Sequence, residues 1–264
     1  MERRVPCSGV KILMVCVFLG AANHAAGYGV RAAQTRIATA ANFAGPAAVI
    51  GARFTRVTGH RAVFSFGSTG QLYAQISRAA PFSVYLAADT KRPQLAVREG
   101  LAMKGTMFTY ALGRIALYSV DATLVRGPET LKRGAFQRLA IANPATAPYG
   151  SAAIDVLANL GLATTLAAKI VRGNNIAQVY QFVSTGNAEA GFVALGQIAG
   201  HARGSRWIVP AHLHKPIAQA AVLLNSGKDD PAARAFLAFL RGPEARKIIT
   251  RFGYAVAGDR EAGQ

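Results

Sequence analysis

The sequence predicts an α/β protein of two lobes, each an open, mostly parallel sheet flanked by helices, with a cleft between them. Three observations lead there. Short β-branched or aromatic runs alternate with amphipathic stretches in the order β-α-β-α-β-α, which implies parallel strands with helices on both faces of the sheet. The series then recurs after a long extended stretch centred on Gly113. The chain has 264 residues, 52% hydrophobic and 16% charged, enough to bury two cores of ordinary size.

The first series begins with a strand over Arg36–Thr39 and a helix over Ala47–Val57, where Val49, Ile50, Phe54 and Val57 keep helical spacing. A strand at Ala62–Phe66 and a helix at Gln71–Arg78 follow, then a strand at Phe82–Ala87 and a helix at Arg92–Gly100. Met107–Val120 reads as extended throughout. The second series runs strand Leu139–Ala142, helix Ser151–Leu160, strand Lys169–Val171, helix Ile176–Ser184 and strand Gly191–Leu195. Ala218–Leu224 reads as a return strand, and Pro231–Phe239 and Pro243–Phe252 as closing helices. The first lobe is thus expected to comprise residues 34–113 plus 219–258 and the second residues 114–218, with crossings near Gly113 and Pro216–Ala218. No period of 20–50 residues marks a repeat protein.

Residues 1–27 stand apart. Arg3 and Arg4 precede an apolar run from Val10 to Ala22 that is interrupted near its start by Lys11, and small residues follow at Ala25, Ala26 and Gly27. That order is the anatomy of a cleaved secretory signal peptide, so the mature protein is expected outside the cytoplasm. Both cysteines, Cys7 and Cys16, fall in this segment, so the mature chain is expected to hold no disulfide, thiolate nucleophile or zinc–sulfur site.

The whole chain carries a net charge of +18; residues 1–27 hold three basic groups and one acid, which leaves +16. Such an excess attracts anions. Arg53, Arg56, Arg61, Arg78, Arg98 and Arg114 are scattered singly, without the basic stripe and stacking aromatics of a nucleic-acid groove. The charge reads as steering toward a small anion, and no nucleic-acid partner is expected.

Four loops share one design, in which a strand ends, small or polar residues follow and a helix begins. They are Ala40-Ala41-Asn42-Phe43, Gly67-Ser68-Thr69-Gly70, Ala147-Pro148-Tyr149-Gly150-Ser151 and Gly173-Asn174-Asn175-Ile176, two in each expected lobe. In an open α/β sheet such loops sit at the carboxyl ends of the strands, where ligands bind. A helix start offers unpaired N–H groups and a partial positive charge, which suits an oxyanion. Any one of these Asn, Ser or Thr residues is equally an ordinary N-cap; the grouping of four points to a site.

Catalytic readings find less support. His60, His201, His212 and His214 are the histidines beyond the export segment, and no acid or cysteine beside the His212/His214 pair completes a metal site. Gly67-Ser68-Thr69-Gly70 departs from the Gly-x-Ser-x-Gly elbow, and no phosphate-loop motif occurs. Asp229 and Asp230 are adjacent at a helix start, a capping position. No cofactor, cationic metal site or enzyme activity is expected.

The chain from about Arg36 to Val256 resembles the periplasmic molybdate-binding proteins of ABC transporters. The resemblance rests on Ser65-Phe66-Gly67-Ser68-Thr69-Gly70-Gln71-Leu72, Tyr85-Leu86-Ala87-Ala88-Asp89 and Asn143-Pro144-Ala145-Thr146-Ala147-Pro148-Tyr149-Gly150. It continues through Gly191-Phe192-Val193-Ala194-Leu195-Gly196, Phe239-Leu240-Arg241-Gly242-Pro243-Glu244-Ala245 and Arg251-Phe252-Gly253-Tyr254. It implies a type II periplasmic-binding-protein fold that captures molybdate or tungstate between its lobes, acts as a monomer, and delivers the ion to a membrane permease.

By the same resemblance the oxyanion contacts fall on Ala41, Asn42, Ser68, Thr69, Tyr149 and Ile176, with hydroxyls at Thr69 and Tyr149 and a backbone amide at Ile176. Ala41 lacks the hydroxyl that many relatives carry, so only its amide is available. Ala194 stands where some members place a binding tyrosine, and Tyr149 resembles the subgroup that supplies this phenol from the third loop. The acidic residue often found near Phe82 and Ser83 is missing. Two alternatives stay open: a binding protein for sulfate, phosphate or an organic acid, and an enzyme built on the same two lobes. An organic acid would want an arginine fork; Arg172, beside the fourth loop, is the nearest candidate.

Overall fold

A computed structural model describes residues 1–2, 32–200 and 203–256. The export segment read at residues 1–27 therefore lies, apart from Met1 and Glu2, outside the described residues, as do His201 and the last two residues of the span 219–258. Among the described residues, no helix is long and apolar enough to cross a membrane.

The first lobe opens with β1 (Gln34–Ala40), a 3-10 turn (Ala41–Phe43) and α1 (Ala44–Thr58). There follow β2 (Arg61–Gly67), α2 (Thr69–Ile76), β3 (Val84–Leu86), α3 (Lys91–Arg98) and β4 (Phe108–Gly113). The second lobe comprises β5 (Ile115–Ser119), α4 (Glu129–Arg133), β6 (Leu139–Ala142), α5 (Pro148–Asn159), α6 (Ala163–Leu166), β7 (Ile170–Gly173), α7 (Ile176–Ser184), β8 (Ala190–Ala194), α8 (Leu195–Ile198) and β9 (Ser205–Ile208). The chain then returns through β10 (Ile217–Leu223) to the first lobe and closes with α9 (Pro231–Arg241) and α10 (Pro243–Arg251).

The two five-stranded sheets have the orders β2-β1-β3-β10-β4 and β7-β6-β8-β5-β9. In each, one strand runs against the other four: β10 is antiparallel to both neighbours in the first sheet, and β5 in the second. Those are the strands that the two crossings deliver. The long extended stretch divides at Arg114 into β4 and β5, which belong to different sheets. Ile217 and Ala218 pair with Gly113 and Leu112 in the first sheet, two residues ahead of the boundary read at 218/219. Pro216 has no N–H for a ladder, and the strand begins directly after it.

Side chains alternate across the first sheet, as a strand's period of two requires. Ile37, Val84, Leu86, Ala221 and Leu223 face one buried cluster, which α1, α9 and α10 cover with Ile50, Phe54, Phe236, Leu240 and Ile249. Ala38, Tyr85, Val222 and Leu224 face the opposite cluster, closed by Leu72 and Ile76 of α2 and Ala96 of α3. A sheet buried on both faces explains why its strands read as nearly continuous apolar runs. In the second lobe Leu117, Leu139, Ile141, Phe192 and Val193 pack with Val156, Leu157, Val179 and Val183 of α5 and α7.

Strand β9 and helices α4, α6 and α8 are additions to the elements read from sequence. Each is four or five residues long, too short for a periodic pattern to emerge. β9 is an edge strand whose Arg206 is exposed.

Candidate functional site

Strand register places the four loops. Ala40 of β1 is level with Gly67 of β2, and Ala142 of β6 is level with Gly173 of β7. Each pair of parallel strands therefore ends together, and the helices that follow start side by side at the carboxyl edge of their sheet. The two edges face each other across one small pocket. It is lined by the first three loops' Ala41, Asn42, Ser68, Thr69 and Tyr149 and the fourth loop's Asn175 and Ile176. All six residues expected at the site are thus brought together. The pocket is small, with about 200 Å³ of empty space, its open mouth included.

Ser68 caps α2 in a reciprocal box: its Oγ accepts the Gln71 N–H at 3.3 Å, while Gln71 Oε1 accepts the Ser68 N–H at 3.2 Å. The Ser68 hydroxyl donates to the same Gln71 oxygen at 2.9 Å. This leaves the Thr69 N–H, at the first helical position, without an intrahelical acceptor. Thr69 Oγ1 accepts the Ala88 N–H at 3.0 Å, so its own proton remains to donate. The Thr69 carbonyl accepts from Tyr85 at 2.7 Å, which locks the residue from its other side.

α7 uses its cap in the same way. Asn175 Oδ1 accepts the N–H groups of Ala177 and Gln178 at 2.9 and 3.1 Å. The Ile176 N–H, one residue ahead of both, is left for the pocket. In α5 the packing of helix on strand is tight: a Cβ on Gly150 would stand 2.2 Å from the Ala142 carbonyl oxygen. That close approach requires glycine after Pro148-Tyr149 and fixes where the helix start lies.

Tyr149 lines the pocket, and its phenol also meets neighbours behind it. Its phenol oxygen accepts from Gln219 Nε2 at 3.3 Å, and Tyr254 is close enough to help raise its pKa. Gln219 Oε1 in turn accepts from Asn42 Nδ2 at 2.9 Å and Tyr110 at 3.0 Å. Tyr254 donates to the Asn42 carbonyl at 2.7 Å and accepts from Asn42 Nδ2 at 3.2 Å. The side chains of Asn42 and Tyr149 are therefore engaged in a buried network joining both lobes, and the main-chain N–H of each remains for the pocket. Burial holds the phenols of Tyr149, Tyr110 and Tyr254 above their ordinary range, so all three stay neutral and act as hydrogen-bonding groups.

Gln219, Tyr110 and Tyr254 were not singled out as site residues in the sequence. Gln219 is a fully buried polar residue within an apolar strand, and that mismatch of pattern is the signal that could have found it. Arg172 lies on β7, exposed, and is not among the residues that line the pocket. Ala194 caps α8 and likewise stays off the lining. Among the described residues no group of three His, Cys, Asp or Glu is placed to hold a cation. The pocket lining contains no charged side chain.

Residues 35–255 match the family described as bacterial extracellular solute-binding protein. The chain belongs to that family. Within it, the chain is 49% identical over 223 residues to the molybdate-binding protein ModA of Rhodobacter capsulatus, covering 84% of this chain and 88% of the relative. It is 47% identical over 230 residues to the protein of the same name in Azotobacter vinelandii, covering 86% and 91%. The solved periplasmic molybdate-binding protein of Azotobacter vinelandii superposes with a TM-score of 0.82 at 38% identity, over 84% of this chain and 99% of that one. These relatives are named as binding proteins, and the solved one shares the α/β architecture of this chain.

Proposed function

We propose that this protein is the periplasmic binding component of an ABC transporter for molybdate or tungstate, and that it holds the oxyanion with neutral donors alone. One observation carries the reading: a pocket between two lobes lined by four helix-start loops and by no charged side chain. A tetrahedral dianion presents four acceptor oxygens and needs donors aimed at it from several directions. The N–H groups of Ala41, Asn42, Thr69, Tyr149 and Ile176 and the Thr69 hydroxyl form such a set. Each helix start adds a fractional positive potential, and N–H···O⁻ bonds, made to a charged acceptor, are stronger than neutral ones.

The absence of a charged group from the lining also speaks for binding over catalysis, since no side chain there is poised to transfer a proton at neutral pH. The names of the relatives supply the identity of the ion. Size supplies the selectivity: donors spaced for a large tetrahedral ion reach sulfate or phosphate less well and are left unpaired. The protein acts as a monomer after export, without a cofactor, and passes its cargo to a membrane permease. Calorimetric titration of residues 28–264 with molybdate, tungstate, sulfate and phosphate tests the reading. Tight binding of the first two and weak binding of the others is the expected outcome; a preference for sulfate or phosphate would overturn it.

A further inference from the structure

Two contacts join the lobes beside the pocket, through residues that do not line it. The Gly70 N–H in α2 donates to the Thr146 carbonyl at 2.8 Å. The Arg92 guanidinium donates from its second terminal nitrogen to the Ala145 carbonyl at 2.9 Å. Arg92 and Asp89 belong to the first lobe; Ala145 and Thr146 belong to the second.

Both sides of this contact are built. Asp89 Oδ1 accepts the Arg92 N–H at 2.9 Å, and its other oxygen accepts from the first terminal guanidinium nitrogen. The two side chains are only 22% and 19% exposed. One end of the guanidinium fork is therefore fixed within its own lobe, and the other end points across the gap. On the opposite bank Asn143 holds the turn: its Oδ1 accepts the Ala145 N–H at 3.0 Å and its carbonyl accepts the Ala147 N–H at 2.8 Å. That same turn leads into the start of α5, which carries Tyr149.

We propose that the two lobes part to release the anion, and that Arg92, held by Asp89, is a latch that sets how long they stay closed on it. This inference rests on the reading of the pocket as an oxyanion site. The Asp89–Arg92 pair lies within one lobe and survives opening, whereas the bond to Ala145 exists only when the lobes meet. Its loss therefore acts on the closed form alone, and apparent affinity scales with the fraction closed. Arg92 is a positioning residue and touches no part of the anion.

Release of radiolabelled molybdate into excess unlabelled molybdate, measured for the wild type and three variants, tests the latch. Arg92→Ala is expected to speed release by about tenfold or more, the scale of one hydrogen bond to a charged group, with association little changed. Arg92→Lys is expected to fall between, because an ammonium keeps the charge but lacks the fork that reaches Asp89 and Ala145 together. Gly70→Ala probes the contact from the other bank: its Cβ would stand 3.1 Å from the Arg92 nitrogen and from Thr146 Cα. Alanine suits a helix better than glycine, so this variant should release faster while the ligand-free protein melts no lower. A wild-type release rate in Arg92→Ala and Gly70→Ala would overturn the latch and leave the pocket standing. Failure of the wild type to bind molybdate would remove the pocket reading, and the latch with it.

Discussion

A Cβ placed on Gly113 would stand 2.3 Å from the Tyr149 hydroxyl oxygen and 2.9 Å from Gln219 Nε2. Gly113 ends the last strand before the chain crosses into the second lobe, so the crossing and the phenol occupy the same space. Gly113→Ala must displace the phenol and the network behind it. Overpacking of this kind typically costs ~1–3 kcal/mol, and a chemical denaturation curve should record it. The variant should also bind molybdate more weakly, because Asn42, a loop residue of the pocket, is tied to the same glutamine.

Thr69→Ala and Tyr149→Phe should separate two roles. Thr69 keeps a free hydroxyl proton at the pocket, so its loss is expected to lower affinity by roughly tenfold to hundredfold, the effect of a hydrogen bond to an anion worth about 1.5–3 kcal/mol. Tyr149→Phe removes a phenol that faces Gln219 and Tyr254. It leaves a buried amide donor without an acceptor, a penalty of about 1–3 kcal/mol in stability, and spares the Tyr149 N–H. Calorimetry beside a melting curve should show the first variant weak in binding and the second weak in folding.

The pocket's response to pH follows from its neutral lining. Tyr149 is the single lining residue whose side chain ionises in water below pH 11 or so, and burial, the largest cause, raises its pKa well above the usual 10.0. Protein-side affinity for molybdate should therefore be flat from about pH 6 to 9. Stability should change only at higher pH. A phenol whose folded pKa lies above its unfolded value contributes stability that is whole below the unfolded pKa, near 10, and is lost as pH rises beyond it. Tyr85, Tyr110, Tyr149 and Tyr254 are all raised, so melting temperature is expected to fall steeply above about pH 10.

Asn175→Ala tests whether a cap serves the pocket as well as its helix. Asn175 satisfies two N–H groups of α7 and so aims the third, that of Ile176. Its loss should cost ~0.5–2 kcal/mol of stability and also weaken molybdate binding, since the helix start frays where the anion would sit. Unchanged affinity in a destabilised variant would mean that the Ile176 N–H makes no contact with the anion.

Much of this was legible in the sequence, for identifiable reasons. Strands buried on both faces and helices such as Ile176–Ser184 carry strong periodicity, and their bounds follow from apolar spacing and caps. The four loops were legible because Ser68 and Asn175 occupy cap positions at strand ends. The direction of the Tyr149 phenol was not, because it depends on Gln219 and Tyr254, which lie 70 and 105 residues away in the chain. A pairing between residues so distant leaves no local pattern. The same holds for Arg92, whose partner across the cleft is a carbonyl oxygen that any residue type would provide.

Everything above turns on an oxyanion held among main-chain N–H groups from both lobes. A crystal structure of the protein grown with molybdate, phased on the anomalous signal of molybdenum, tests it most directly. One strong peak is expected in the pocket, with the ion's oxygens within hydrogen-bond distance of the nitrogens of Ala41, Asn42, Thr69, Tyr149 and Ile176 and of Thr69 Oγ1. A peak elsewhere on the molecule, or an ion held by arginine or lysine side chains, would contradict it.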